Sequence, residues 1–418
     1  MYEELDEDVF VGFGEDAFFP YPRTGLSSIS GNNPQELRDA VKSFAPRSPG
    51  VYGMIDVLGR LIYVGKSKLL RNRLLSYFLP NNEEDKSGRI VQSSATIVWE
   101  PQPSEFAALL REQYLIRHFQ PRFNVQGLPK RQQPVFICLG RRPAEQLYTT
   151  RKLDTKANTQ LGPLFGASRA NRAVDVLNRL FRLRDCSNKQ PCSFADQLQL
   201  FDIQLRPGCI RLEIDTCLGP CIAACSRSSY DRHVALARSF LLGQDTSCID
   251  ILQQQMQAAA RSHHFERAAV LREDMKAVQW LANRAADLAK ARDRYTFVYP
   301  VSGVDCCRKP GQSSSEYDVW YLIRRGVLEG ALAAPRSPAE KQRTRIQLRE
   351  WLKHDKTIGT ALASPRPETL ALVTSWFRNN STELKRTFVP GKKRAPGIAN
   401  RIGRPRAASL QASAATPG

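Results

Sequence analysis

Long apolar runs are missing from this chain. Nothing in its 418 residues approaches the roughly eighteen consecutive apolar residues of a membrane-spanning helix, so no membrane span is expected. Acid is the scarcer charge: 41 Asp+Glu stand against 61 Lys+Arg, a net charge of +20. The chain starts acidic (Glu3, Glu4, Asp6, Glu7, Asp8, Glu15, Asp16), which argues against a secretory signal or transit peptide. Histidine is scarce too; its five copies are scattered, and none is assigned a catalytic role. These absences point to the cytoplasm, a reducing compartment where the ten cysteines speak for metal rather than disulfides. What is abundant is positive charge, and it favours a polyanionic partner, because contacts to phosphates release counterions. Nucleic acid comes first; an acidic protein or an anionic surface is the other reading.

At this length two to four domains are expected. Residues 1–33, acidic and without a sustained period, read as a flexible arm. Residues 34–142 read as a compact unit, with strands at 50–56, 61–65 and 96–100, a helix over 68–78 capped by Ser67, and a helix over 104–119. Residues 143–245 are cysteine-rich and mainly helical, with a helix expected over 160–185. The apolar spacing of Leu252, Met256, Ala260, Phe265, Ala269, Leu271, Met275 and Val278 predicts a helical hairpin at 246–284. Residues 285–384 have strand character and read as a small α/β unit. Residues 385–418, basic and rich in Pro, Gly and Ala, read as a disordered tail. The fold class is α+β: a small mixed or antiparallel sheet flanked by helices, then the cysteine-rich helical domain and the hairpin.

The compact unit carries chemistry. Tyr52 and Tyr63 fall in its first two strands, Lys66 and Arg73 follow, and Glu112 sits on the later helix. Phosphodiester hydrolysis needs an activated water, a group to take its proton, and positive charge on the transition state. A tyrosine serves as base when a neighbouring cation lowers its pKa, and Lys66 lies three residues from Tyr63 across a turn. Lys66 and Arg73, seven apart, point one way if the helix begins early enough. Glu112 is a single hard ligand for Mg²⁺ (or Mn²⁺), which keeps water on its other sites.

The run Gly50-Val51-Tyr52, Tyr63-Val64-Gly65-Lys66-Ser67-Lys68-Leu69-Leu70-Arg71-Asn72-Arg73-Leu74, then Glu112 and Pro121-Arg122-Phe123-Asn124, resembles the GIY-YIG nucleases. Within them it is similar to the N-terminal half of the UvrC-type excinuclease subunit. The resemblance implies Tyr63 as general base, Tyr52 as its hydroxyl partner, Lys66 and Arg73 on the phosphate, Glu112 on the metal, and Asn124 shaping the site. Three positions depart from the family pattern: Leu69 for an asparagine, Arg111 where the helix is commonly apolar, and Gln113 after the glutamate. Glu105, two turns before Glu112, is a fallback ligand or a solvated or capping residue.

Cys209, Cys217 and Cys221 are spaced C-x7-C-x3-C, and on spacing thiolates suit an iron–sulfur cluster or zinc equally. Similarity to the UvrC middle region implies a [4Fe–4S] cluster on Cys186, Cys209, Cys217 and Cys221, with Zn²⁺ as the alternative and Cys192 and Cys225 as competing ligands. The segment from Met256 to Met275 looks like the UVR motif, which implies UvrB as partner, UvrA upstream, and damaged double-stranded DNA as substrate. The family's second, RNase H-like nuclease and its helix-hairpin-helix DNA binders have no visible counterpart, as in the short Cho-type homologues. The expected reaction is therefore one incision, on the 3′ side of a lesion in nucleotide excision repair. A non-catalytic UvrB- or DNA-binding adaptor, and a GIY-YIG nuclease outside repair, are the competing readings.

Overall fold

The computed structural model describes residues 9–21, 25–79, 85–125, 134–140, 142–152, 154, 156–187, 190–197, 208–303, 317–353 and 367–391. The first unit contains β1 (Ser27–Ser30), α1 (Pro34–Phe44), β2 (Gly50–Ile55), β3 (Leu61–Ser67), α2 (Leu70–Leu75), α3 (Lys86–Gln92), β4 (Thr96–Pro101), α4 (Glu105–Phe119) and α5 (Arg122–Val125). Its strands form one antiparallel sheet in the order β1-β4-β2-β3. All six residues of β2 are buried, so both faces are covered. Alternation along the strand divides them. Tyr52 and Met54 pack with Leu37 and Val41 of α1 and with Leu70 and Leu74 of α2, whereas Val51 and Ile55 share a core with Val64, Ala108, Leu115 and Phe13.

The segment expected to be a flexible arm is ordered in the part described. Phe13 is buried against the sheet, Val9 bridges Arg60, and Ser27–Ser30 pairs with β4. Its anchor is Arg111, the departure noted on α4, whose side chain is fully buried. Its guanidinium donates to the carbonyls of Phe13 (3.0 Å), Gly14 (2.6 Å) and Glu15 (2.6 Å) and to Glu100 Oε2 (3.2 Å). A charge in the interior is tolerated only when it is paired and hydrogen-bonded, and here the N-terminal backbone supplies the acceptors.

The second unit opens with a sheet, ahead of the helices that make up most of its regular structure. Strands β5 (Val135–Gly140), β6 (Gln146–Thr150) and β7 (Ala157–Leu164) are antiparallel in the order β6-β5-β7. The helix expected over 160–185 is confined to α6 (Ala167–Leu180). Residues 160–164 belong to β7 because Pro163 is unsuited to a helix interior and Gly162 lies so close to Phe136 that a Cβ would meet its ring at 2.5 Å. After α7 (Ile210–Glu213) and α8 (Arg227–Leu241), the hairpin is α9 (Cys248–Arg261) and α10 (Phe265–Arg294). The second helix runs well past the expected end. Its C-terminal half buries Val278, Leu281, Ala285 and Leu288 in the chain's own core, and Asp274 pairs with Arg172 (2.8 Å) and Arg179 (3.0 Å) of α6.

The last unit is a three-stranded antiparallel sheet in the order β10-β9-β8, from β8 (Phe297–Val301), β9 (Val319–Arg324) and β10 (Val327–Ala333), with α11 (Pro338–Lys353) and α12 (Pro367–Asn379). Lys385 and Arg386, placed in the tail by sequence, close a 3-10 helix (Ser381–Arg386), and Phe388 bridges Val298; residues 392–418 lie outside the described residues. One large core runs through the second and last units and takes in Phe106, Ala107 and Leu110 of α4. That helix thus packs into two cores, with Ala108 and Leu115 facing the first sheet. No described helix is long and apolar enough to cross a membrane.

Candidate active site

Strand β3 is the edge of the first sheet, and side chains satisfy its outward backbone groups. Asn124 Oδ1 accepts from Val64 N–H (2.7 Å) and its Nδ2 donates to Val64 C=O (2.8 Å). Two residues on, Glu112 Oε1 accepts from Lys66 N–H (3.0 Å). A free strand edge invites unwanted pairing; here an asparagine and a carboxylate close it and fix α4 and α5 against β3. Asn124 is buried and holds the framework.

The tyrosines meet on the α2 side of the sheet. The rings of Tyr52, Tyr63 and Tyr77 lie with centroids 6.0–6.1 Å apart in a mutually packed trio. The Tyr52 and Tyr77 hydroxyls are 2.9 Å apart, and Arg73 donates to both, Nε to Tyr52 (3.2 Å) and Nη2 to Tyr77 (3.3 Å). Burial pushes the phenols of Tyr52 and Tyr77 well above their ordinary value, so at neutral pH both are protonated. Tyr63 is the member of the trio that is partly exposed. Gly65 faces Tyr52 across the β2–β3 pair, and a Cβ there would meet the Tyr52 hydroxyl at 2.5 Å. Gly50 is equally constrained, with Glu100 C=O and Leu70 each 2.6 Å from a Cβ. Both motif glycines are therefore demanded by close packing.

The expected alignment of Lys66 and Arg73 along one helix does not occur. Ser67 remains in β3, its Oγ accepting from Leu69 N–H, and α2 starts only at Leu70, tightening to a 3-10 turn over Ser76–Phe78. The two cations come instead from a strand and a helix, and both lie within electrostatic range of Glu112. Lys66 Nζ meets Glu105 Oε1 (3.2 Å), whose Oε2 holds Lys68 (2.8 Å). Glu105 is thus an ion-pair partner; Ser104 caps α4 by accepting from Ala107 N–H. Burial raises the Glu105 carboxyl, but the bonds from Lys68 and Lys66 outweigh it and hold the group below its usual range.

Glu112 shows the opposite balance. Burial pushes its carboxyl up to about 7, against the pull of the Lys66 charge, the Lys66 N–H and Arg73. No described residue bonds its Oε2. A desolvated hard oxygen with one free lobe fits a divalent cation that keeps most of its waters. No group of three or more His, Cys, Asp or Glu arranged to hold a metal occurs among the described residues.

Tyr77 carries no motif signal, although four residues from Arg73 is the spacing at which helical side chains meet. The eight described cysteines are free thiols that do not converge into a ligand set among the described residues. Cys186, Cys209 and Cys221 are nonetheless near enough to Cys217 to help burial push its thiol up to about 12. Cys192 accepts from Arg184 Nη1 (3.0 Å), and Cys225 is buried in the large core.

Residues 48–125 match the family model of the UvrC-like GIY-YIG domain, 135–240 that of the UvrC/Cho excinuclease middle domain, and 249–279 that of the UvrB/uvrC motif. The chain thus carries a UvrC-like GIY-YIG domain, a UvrC/Cho middle domain and a UvrB/uvrC motif, in that order. UvrABC system protein C of Cereibacter sphaeroides is 32% identical over 231 residues, covering 55% of this chain and 35% of that protein. The Oleidesulfovibrio alaskensis protein is 33% identical over 245 residues, 58% of this chain and 33% of its own length. The chain thus spans about a third of the length of these two curated relatives. The magnesium-bound GIY-YIG N-terminal endonuclease domain of UvrC from Thermotoga maritima is 34% identical, with 22% of this chain and 98% of that domain covered and a TM-score of 0.20.

Proposed function

We propose that the chain is a Mg²⁺-dependent DNA endonuclease of nucleotide excision repair, making the incision on the 3′ side of a lesion. The observation that carries this is Glu112: a half-buried carboxylate with a raised pKa and one free oxygen, within electrostatic range of Lys66 and Arg73. When bound there, a divalent cation supplies Lewis-acid stabilisation of phosphate charge and a polarised water. Tyr63, the partly exposed member of the trio, first releases its own proton to solvent and then, as the phenolate, takes the proton of the attacking water. Tyr52 and Tyr77, held protonated, position it by ring packing and by the hydroxyl network that Arg73 ties together. Lys66 leaves Glu105 for the phosphate as substrate enters, and Arg73 adds positive charge alongside.

UvrB is the proposed partner of the α9–α10 hairpin. The half near its turn exposes Phe265 (65%) and Val270 (55%), whereas much of the far half of α10 is buried in this chain. Cys186, Cys209, Cys217 and Cys221 are proposed to hold a [4Fe–4S] cluster or Zn²⁺. Soft thiol donors within electrostatic range of one another support this, and iron, sulfide and zinc analysis of anaerobically purified protein tests it. For the nuclease itself the test is an end-labelled damaged duplex incubated with UvrA, UvrB and Mg²⁺. The wild type nicks 3′ of the lesion, and Glu112→Gln binds without nicking. Equal nicking by that variant overturns the assignment.

A further inference from the structure

We propose that the cleft between α4 and α12 is a nucleotide subsite, taking one nucleotide of the strand that flanks the scissile phosphate; it rests on the nuclease reading above. The cleft has a volume of about 370 Å³ and opens beside Lys66. That size suits one small ligand unit and is too small for a duplex. Its walls differ in chemistry. From the nuclease domain come the ammonium groups of Lys66 and Lys68, sharing the single carboxylate of Glu105. From α12 and the residue after it come uncharged groups: the Ser375 hydroxyl and the amides of Asn379 and Asn380. Leu109 and Trp376 supply the apolar lining. Cations on one side and neutral donors and acceptors on the other match a nucleotide, with phosphate toward the lysines and sugar or base edge toward the amides.

The wall built by α12 is held rigidly. Phe106 of α4 is 1% exposed and packs on Tyr299 (5.3 Å), Tyr321 (5.0 Å) and Trp376 (5.2 Å), joining the last sheet and α12 to the nuclease helix that carries Glu112. Trp376 Nε1 donates to the Tyr299 hydroxyl (3.3 Å), which donates to Glu383 (2.8 Å). Asn380 ends the helix by donating from both N–H and Nδ2 to Trp376 C=O (2.8 and 3.1 Å). Asn379 is exposed at the rim, and Lys68 is 73% exposed, so its ammonium is free to exchange Glu105 for a phosphate at little cost. The carboxylate thus keeps the two lysines gathered until a phosphate replaces it.

The test is equilibrium binding of the full chain in EDTA, where no cleavage occurs. Fluorescein-labelled damaged duplex and labelled single strand are titrated by anisotropy over a series of KCl concentrations. Lys68→Gln lowers the slope of log affinity against log salt by about 0.9 on duplex or about 0.7 on single strand, the loss of one phosphate contact. Asn379→Ala weakens binding about three- to tenfold at every salt concentration and leaves the slope unchanged, as loss of a neutral hydrogen bond does. Lys42→Gln, an exposed cation on α1, leaves both unchanged. An unaltered slope in Lys68→Gln, or wild-type affinity in Asn379→Ala, overturns the subsite. If Glu112→Gln abolishes nicking while both subsite variants bind as wild type, the nuclease reading stands and the subsite alone falls. If Glu112→Gln nicks normally, the nuclease reading falls, and the binding slopes still decide the subsite.

Discussion

Replacing Glu112 with glutamine is expected to make the metal-free protein more stable at pH 8 and no more stable near pH 4.5. The carboxyl is raised from an ordinary 4.5 to about 7, chiefly by burial, so the folded state holds its proton more tightly than the unfolded chain does. The sign follows. Below about 4.5 both states are protonated and nothing is lost. Between about 4.5 and 7 the unfolded chain alone has released its proton, and stability falls as pH rises; above 7 the cost of keeping a half-buried carboxylate ionised is complete. Such a rise corresponds to at most about 3 kcal/mol, and partial exposure brings the expected figure to about 1–2 kcal/mol. Glutamine keeps an oxygen for Lys66 N–H and removes the charge. The assay is thermal melting in EDTA across pH 5–8, repeated with Mg²⁺. The variant should melt several degrees above wild type at pH 8, with the gap closing toward pH 5. Saturating Mg²⁺ should raise the wild type by mass action and leave the variant unmoved. A variant destabilised at pH 8 refutes the desolvation argument and shows the carboxylate to be a structural acceptor; one stabilised equally at both ends refutes it too, because the gain would not depend on charge.

Gly65→Ala should cost about 1–3 kcal/mol, because its Cβ displaces the Tyr52 hydroxyl, and should reduce nicking beyond what the folded fraction explains; normal melting and nicking would show that the contact is dispensable. Arg111→Leu should cost about 3 kcal/mol in urea melts and speed proteolysis within residues 9–21, since three backbone carbonyls and Glu100 lose their donor. Asn124→Ala should cost about 2–4 kcal/mol, by leaving Val64 N–H and C=O without their partner, and hydrogen exchange at the Val64 amide should accelerate more than at neighbouring β3 amides.

The first unit was legible because its chemistry and its packing use the same residues. Gly50, Tyr52, Tyr63 and Gly65 are spaced by the β2–β3 pairing, and Glu112 and Asn124 by the need to close the β3 edge. The role of Asn124 was less visible, since a motif position does not say whether an amide faces substrate or backbone. Arg111 looked like a mere departure, because its partners lie 96–98 positions away and no local pattern reports them. The middle sheet was missed for a different reason. Val135–Gly140 is buried along its whole length, so it lacks the alternation that marks a strand with one wet face. The long α10 and the contribution of α12 to the cleft depend on tertiary burial, which the hydrophobic period alone does not reveal.

Arg111 and Glu112 are consecutive on α4, one turned into the N-terminal segment and the other toward the site. A change in how residues 13–16 sit is thereby transmitted to the Glu112 carboxylate through a single peptide bond. Trimming the chain to begin at β1, or fusing a bulky tag against Phe13, is not a neutral manipulation. It strands a guanidinium in a sealed interior and loosens the helix register that sets the Glu112 oxygen against Lys66. Residues far from the motif at its start are in this sense part of the nuclease's calibration, and preparations that differ only at the N-terminus should differ in how tightly they hold magnesium.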